Sequence, residues 1–403
     1  MSIKDSIRKD LDFCDEEIYP LQTNSELNGL DPEFLYDSAH DEDIRVKLRT
    51  LPDKVDVLEI NHFEGGNHSI STRSLNEGQL CAWLDQVNQA PAHAQEPPER
   101  EIIGGLRLIM GRSMSALQAE KLPVTFPHEM EDIETGRPLP FTTSVFEQII
   151  KAFHLPSITP RAFITDQSHF LRRTISTKGF VGYTMRRPTW GVLAMNICLS
   201  ISYDTATGMT YALLHGCSDT QQAFIRQQLR SLASLANHPL LLPVLFSAHQ
   251  RQLVHKQTRR LWESLLRVET ASWQTDVPGV GSWHIPIESD TGQDLRGDYT
   301  QMTKETLGVI QLASGWQSTL KDIITGMDEI EQSLRRLSNK FQALGDSMET
   351  ARDSFSEWLR FTRHQCRVLF GQLEYIDKRG QAQMTAVCVS LIDSIHTNKC
   401  IGE

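Results

Sequence analysis

The chain has 403 residues, room for two or three domains and a sizeable core. Its 39% hydrophobic and 23% charged content is that of an ordinary soluble globular protein, which argues against a disordered or membrane-embedded chain. A net charge of −11 excludes free nucleic acid as a partner, because phosphate binding needs a basic face.

The charge is uneven. Residues 1–50 carry 13 Asp/Glu against 6 Lys/Arg, and they read as an acidic, partly disordered arm. The opening "MSIKDSIRKDLDFCDEE" has no apolar h-region, so no signal peptide is expected. The longest apolar run, "LLLPVLF", is far short of the roughly 20 residues of a spanning helix, so no direct membrane span is expected. Seven cysteines without a CxxC pair predict no disulfide framework and a reduced, cytoplasmic chain.

Residues 51–217 read as an α/β domain. "VDVLEINHF" (Val55–Phe63) alternates as a strand, and "NEGQLCAWLDQV" suits a helix capped by Asn76, with Leu80, Trp83, Leu84 and Val87 on one face. After a Pro-rich connector, "IIGGLRLIMG" (Ile102–Gly111) is a second strand. "TTSVFEQIIKAFHLP" (Thr142–Pro156) is a helix with Val145, Ile149, Ile150 and Phe153 as its stripe. "TWGVLAMNICLSISYD" (Thr189–Asp204) and "GMTYALLHG" (Gly208–Gly216) form a hairpin across "DTATG".

Beyond this the pattern is helical. Residues 218–273 form a helical segment, with Asp219 as the expected N-cap, Phe224, Leu229, Leu232 and Leu235 buried, and a restart after Pro239. Residues 274–302, rich in Gly and Pro, read as a loop. Residues 303–403 read as a long helical stalk. Its seam starts at Leu320 and runs through Ile323, Met327, Ile330, Leu334, Leu337, Phe341, Leu344, Met348, Ala351, Phe355 and Trp358, with spacings of 3 and 4. It resumes at Leu373, Ile376, Met384, Val387, Leu391 and Ile395 after a slip near Gly371. One continuous helix over 319–396 would exceed ~100 Å, so a break near Leu344–Ser347 or a folded-back pair is expected. The seam needs a partner, within the chain or in another copy. The fold class is therefore α+β: an α/β N-terminal domain followed by a mostly helical half with long coiled-coil-like stalk helices.

Candidate chemistry is sparse. "NHFEGGNHS" places His62, Glu64 and His68 close together, but a polar turn at a strand end explains them. Cys388, His396 and Cys400 fit no zinc spacing. The carboxylates of "DEIEQ" (Asp328–Gln332) and the loop acids Glu288, Asp290, Asp294 and Asp298 suit a hard cation, but a solvated helix face and a polar loop are the favoured reading. "RRPTW" and "QTRRLW" suggest cation–π contacts. There is no GxSxG, GxxxxGK[ST] or GxGxxG. No catalytic, cofactor-binding or metal-ligating residue is assigned, and no cofactor is expected.

Several of these stretches resemble one family, the fungal CorA-like proteins related to divalent-cation transporters. They are "GMTYALLHG", "NHPLLLPVLFSAHQ", "LLRVETASW" and "LEYIDKRGQAQMTAVCVSLI" (Leu373–Ile392), in the same order as α/β domain, helices and terminal stalk. Transporting members continue from the stalk into two transmembrane helices joined by a Gly-Met-Asn loop, and this sequence reaches Glu403 with neither. The resemblance implies a soluble non-catalytic protein, a homo-oligomer or a partner of a full-length CorA-like relative through the 319–396 stalk, with a regulatory or scaffolding role. A truncated membrane Mg2+ transporter is the alternative, and an unrecognised enzyme the second.

Overall fold

The computed structural model describes residues 54–88, 102–112, 139–164, 169–175, 179–187, 197–272, 299–340 and 346–401. The acidic arm, the Pro-rich connector, the acids of the 274–298 loop, and Phe341 and Leu344 lie outside these residues.

The elements in chain order are β1 (Val55–Phe63), β2 (His68–Leu75), α1 (Glu77–Asn88), β3 (Ile102–Arg112), α2 (Thr143–Ala152), α3 (Thr159–Ile164), β4 (His169–Ile175), β5 (Phe180–Arg187), β6 (Ile197–Asp204) and β7 (Met209–Cys217). The helical half follows as α4 (Asp219–Ser231), a 3-10 turn, α5 (Leu241–Ala271), α6 (Tyr299–Lys340) and α7 (Asp346–Ile401). The fold is α+β, as expected.

The strands form one seven-stranded sheet in the order β2-β1-β3-β7-β6-β5-β4. Five neighbouring pairs are antiparallel, and β3–β7 is parallel. The β6–β7 hairpin turns where expected. Asp204 accepts from the Ala206 amide and the Thr207 hydroxyl, and Gly208 takes a φ of 68°. β2, β4, β5 and the short α3 went unrecognised in the sequence.

β3 and β1 approach closely at Gly105, which pairs with Asn61 at φ +150°. A Cβ there would stand 2.0 Å from the Ile60 carbonyl oxygen. Neither backbone can retreat without breaking the ladder. Gly105→Ala is therefore expected to cost at least about 3 kcal/mol. Urea denaturation measures this, and a loss under about 1 kcal/mol would contradict the close approach.

Helices cover the sheet on both faces. On one, the aromatic residues of α1 and α2 meet it: Trp83 lies edge-on to Phe153, and Phe153 packs on Tyr211. Asn76 caps α1 reciprocally with Gln79, as its sequence predicts. On the other face, a single apolar cluster runs from Leu58, Leu106 and Leu214 into α5, α6 and α7. α4 starts one residue earlier than expected. Ser218, not Asp219, is the N-cap, in a capping box with Gln221. Its buried face is Gln221, Gln222, Ile225 and Leu229, with Phe224, Leu232 and Leu235 only partly covered. α5 tolerates Pro243 because the first turn has no intrahelical acceptor for its missing N–H.

α6 and α7 fold back on each other. Arg363 meets Glu331 at 2.7 Å, Lys321 lies over Phe370, and Ile310 abuts Gly380, which makes them antiparallel. The seam thus finds its partner within the chain. It begins earlier than the sequence suggested, at Met302, and continues through Thr306, Val309, Ala313 and Trp316 into Leu320. On α7 it runs without a slip: Phe355, Leu359, Thr362, Cys366, Leu369, Leu373, Ile376, Gly380, Gln383 and Val387. Thr362, Cys366 and Gln383 are polar enough to hide it from a hydrophobicity reading. Gly371, taken for the slip, lies on the opposite, exposed face.

Candidate functional site

Those residues singled out for chemistry that lie among the described ones do not converge. His62 and His68 pair across the β1–β2 hairpin, and His62 Nε2 lies 2.7 Å from the Ala233 carbonyl. Burial lowers the His62 pKa, so this ring donates one structural hydrogen bond. Glu64 sits in the exposed turn. Asp328 and Glu331 both engage Arg363, and Glu331 also holds Arg335. Hydrogen bonding to Arg363 lowers the Glu331 pKa. These carboxylates staple α6 to α7. Among the described residues, no group of three His, Cys, Asp or Glu is placed to hold a metal ion.

The buried nucleophile types are tuned away from reactivity. Burial pushes the Cys198 thiol up to about 12 and raises Cys217 too. His215, buried against Phe163, is held down at about 3. His238, edge-on to Phe355, is at about 3, and His249, stacked on Phe224, at about 4. All three stay neutral at physiological pH because the interior disfavours their charged form.

The feature with the shape of a binding site lies on the bundle. α5 runs alongside α7: Arg251 bonds Gln365 at 3.0 Å, and Trp262 and Tyr375 sit 5.7 Å apart by ring centroid. Between them is a groove of about 600 Å³ lined by His255, Thr258, Arg259 and Trp262 from α5 and Val368, Gly371, Gln372, Tyr375 and Ile376 from α7. Two of its lining rings, Trp262 and Tyr375, also meet Arg379. Its guanidinium bonds both carboxylate oxygens of buried Glu269, at 2.5 and 2.7 Å, and lies 5.3 Å from the Trp262 ring centre. The sequence hinted that Trp262 meets a cation, but pointed to its neighbours Arg259 and Arg260. The cation comes from α7.

The outer face of α7 carries a second apolar row. Phe361 is 57% exposed, Val368 49%, Tyr375 53% and Val389 52%. With exposed Ala382 they recur every seven residues. The row went unread in the sequence because the inner seam shares its period. Only the burial of one face shows that the other is left over.

No family model matches this sequence, nor does any curated protein. Among solved structures, the chain is similar to the ZntB cytoplasmic domain from Vibrio parahaemolyticus RIMD 2210633. The identity is 10% over 87% of this chain and 99% of that one, with a TM-score of 0.32. Overlap at this level does not equate the two folds. No helix among the described residues is long and apolar enough to cross a membrane.

Proposed function

We propose that this protein is a non-catalytic CorA-like protein of the cytoplasmic-domain type. It works by helix-mediated association, with a second copy of itself or with a membrane relative, in a regulatory or scaffolding role. The sequence resemblance supports the family reading. The observation that carries the association reading is the row Phe361, Val368, Tyr375 and Val389. The bundle's own seam is already filled, yet its longest helix presents a further apolar face at heptad spacing.

That face also moves the mutational test. Leu337 belongs to the intrachain seam and is 3% exposed, so an acid there disrupts the fold and says nothing of partners. Val368→Asp with Tyr375→Asp alters half-exposed positions and is expected to leave the fold intact, which circular dichroism checks. Light scattering should find the wild-type chain in a complex, alone or mixed with a CorA-type cytoplasmic domain, and the double variant as a monomer. A wild-type chain that stays monomeric in both settings sinks the reading.

A further inference from the structure

The four α5 residues lining the groove stand at i, i+3, i+4 and i+7: His255, Thr258, Arg259 and Trp262. Val368, Gly371, Gln372 and Tyr375 repeat that spacing on α7. Four residues so spaced form the hole that receives one side chain of a facing helix in coiled-coil packing. Here two such holes lie side by side, because the parallel register of α5 and α7 brings Trp262 to Tyr375. Gly371 deepens the second hole, since an added Cβ there would meet nothing among the described residues within 4 Å. The three-helix bundle thus has a seat shaped for a fourth helix.

The charge around the seat describes the occupant. Within residues 252–263 of α5 and 360–375 of α7, the exposed cations Lys256, Arg259, Arg260, Arg360 and Arg367 outnumber the two acids, Glu263 and Glu374. Those acids already hold Arg259 and Lys378. In a chain of net charge −11 this is a local reversal of sign. A second copy packed by the same face would set these cations against themselves, a juxtaposition that opposes binding.

We infer that the α5–α7 groove binds an acidic amphipathic helix of a different protein, with a large apolar side chain seated over Gly371 and carboxylates facing Arg360, Arg367 and Lys256. This rests on the association reading and selects its heterologous form. The seven-residue period favours a helix over a lipid surface, which would not require a register.

The test uses the full chain and two synthetic four-heptad peptides with Leu at a and d, one with Glu and one with Lys at e and g. Fluorescence anisotropy should show binding of the Glu peptide that weakens with added salt, and at least about tenfold weaker binding of the Lys peptide. Arg360→Glu with Arg367→Glu should reverse that preference. Gly371→Trp, which fills the hole from the solvent side, should weaken the Glu peptide by about tenfold or more. Equal binding of both peptides, or none, overturns the inference. If the Glu peptide fails while Val368→Asp with Tyr375→Asp still breaks up a wild-type homo-oligomer, the partner's chemistry is wrong and association stands. If neither effect is seen, both readings fall.

Discussion

Replacing Arg379 by alanine is expected to lower stability by about 3–5 kcal/mol, because it strands the Glu269 carboxylate in the bundle. Glu269 is 3% exposed, and both its oxygens are bonded by that one guanidinium. Truncation also removes the cation from the Trp262 ring. Removing both charges gives a different result. Arg379→Met with Glu269→Leu leaves no orphan ion and should lie within about 1–2 kcal/mol of wild type. Urea denaturation of the single and double variants decides the matter. A single variant less than about 1 kcal/mol below wild type would mean that Glu269 finds water or another cation.

Acid is expected to unfold this protein early. His215, His238 and His249 have folded pKa values of about 3, 3 and 4 against an ordinary 6.5. Between those values the unfolded chain binds protons that the folded chain refuses, so stability rises with pH there. The contribution is complete above about pH 6.5 and is lost as pH falls towards 4. From pH 6.5 to 5 each histidine removes roughly 1.7 kcal/mol, about 5 kcal/mol for three. That is a large part of a typical domain's stability. His249→Phe provides the control. Among the described residues neither nitrogen of the His249 ring has a hydrogen bond, and the ring stacks on Phe224, so phenylalanine should be tolerated at neutral pH. Its denaturation midpoint should depend less on pH than that of the wild type. Parallel pH curves for the two proteins would rule out His249 as a source of the effect.

Much of the architecture was legible where one face is buried and one exposed. β1 kept its bounds, α1 its cap, and the α6 seam most of its residues. What escaped had a physical reason in each case. β2, "HSISTRSL", is an edge strand whose faces are both largely polar, so alternation carries no contrast. β4 has two adjacent arginines at its centre. β5 buries Arg186 and Thr184 among its apolar residues. The α7 seam was read as slipping because Thr362, Cys366 and Gln383 fill positions that pattern reading reserves for leucine. The groove was out of reach for another reason. Its two holes are regular within each helix, but they form one seat only through the register between α5 and α7, segments about a hundred residues apart.

The lone parallel pair at the middle of the sheet bears on how the chain reaches this structure. β1, β2 and β3 connect by antiparallel pairings on one side of it, and β4 to β7 do the same on the other. Each set brings together stretches near one another in the chain, a modest loss of chain freedom. The join is different: Gly105 meets Met209, about a hundred residues later. Two quickly formed half-sheets that dock late, with β3 and β7 as the closing edge, is the folding order this connectivity favours. Until they dock, both halves expose the strand edges that the finished sheet conceals at its centre.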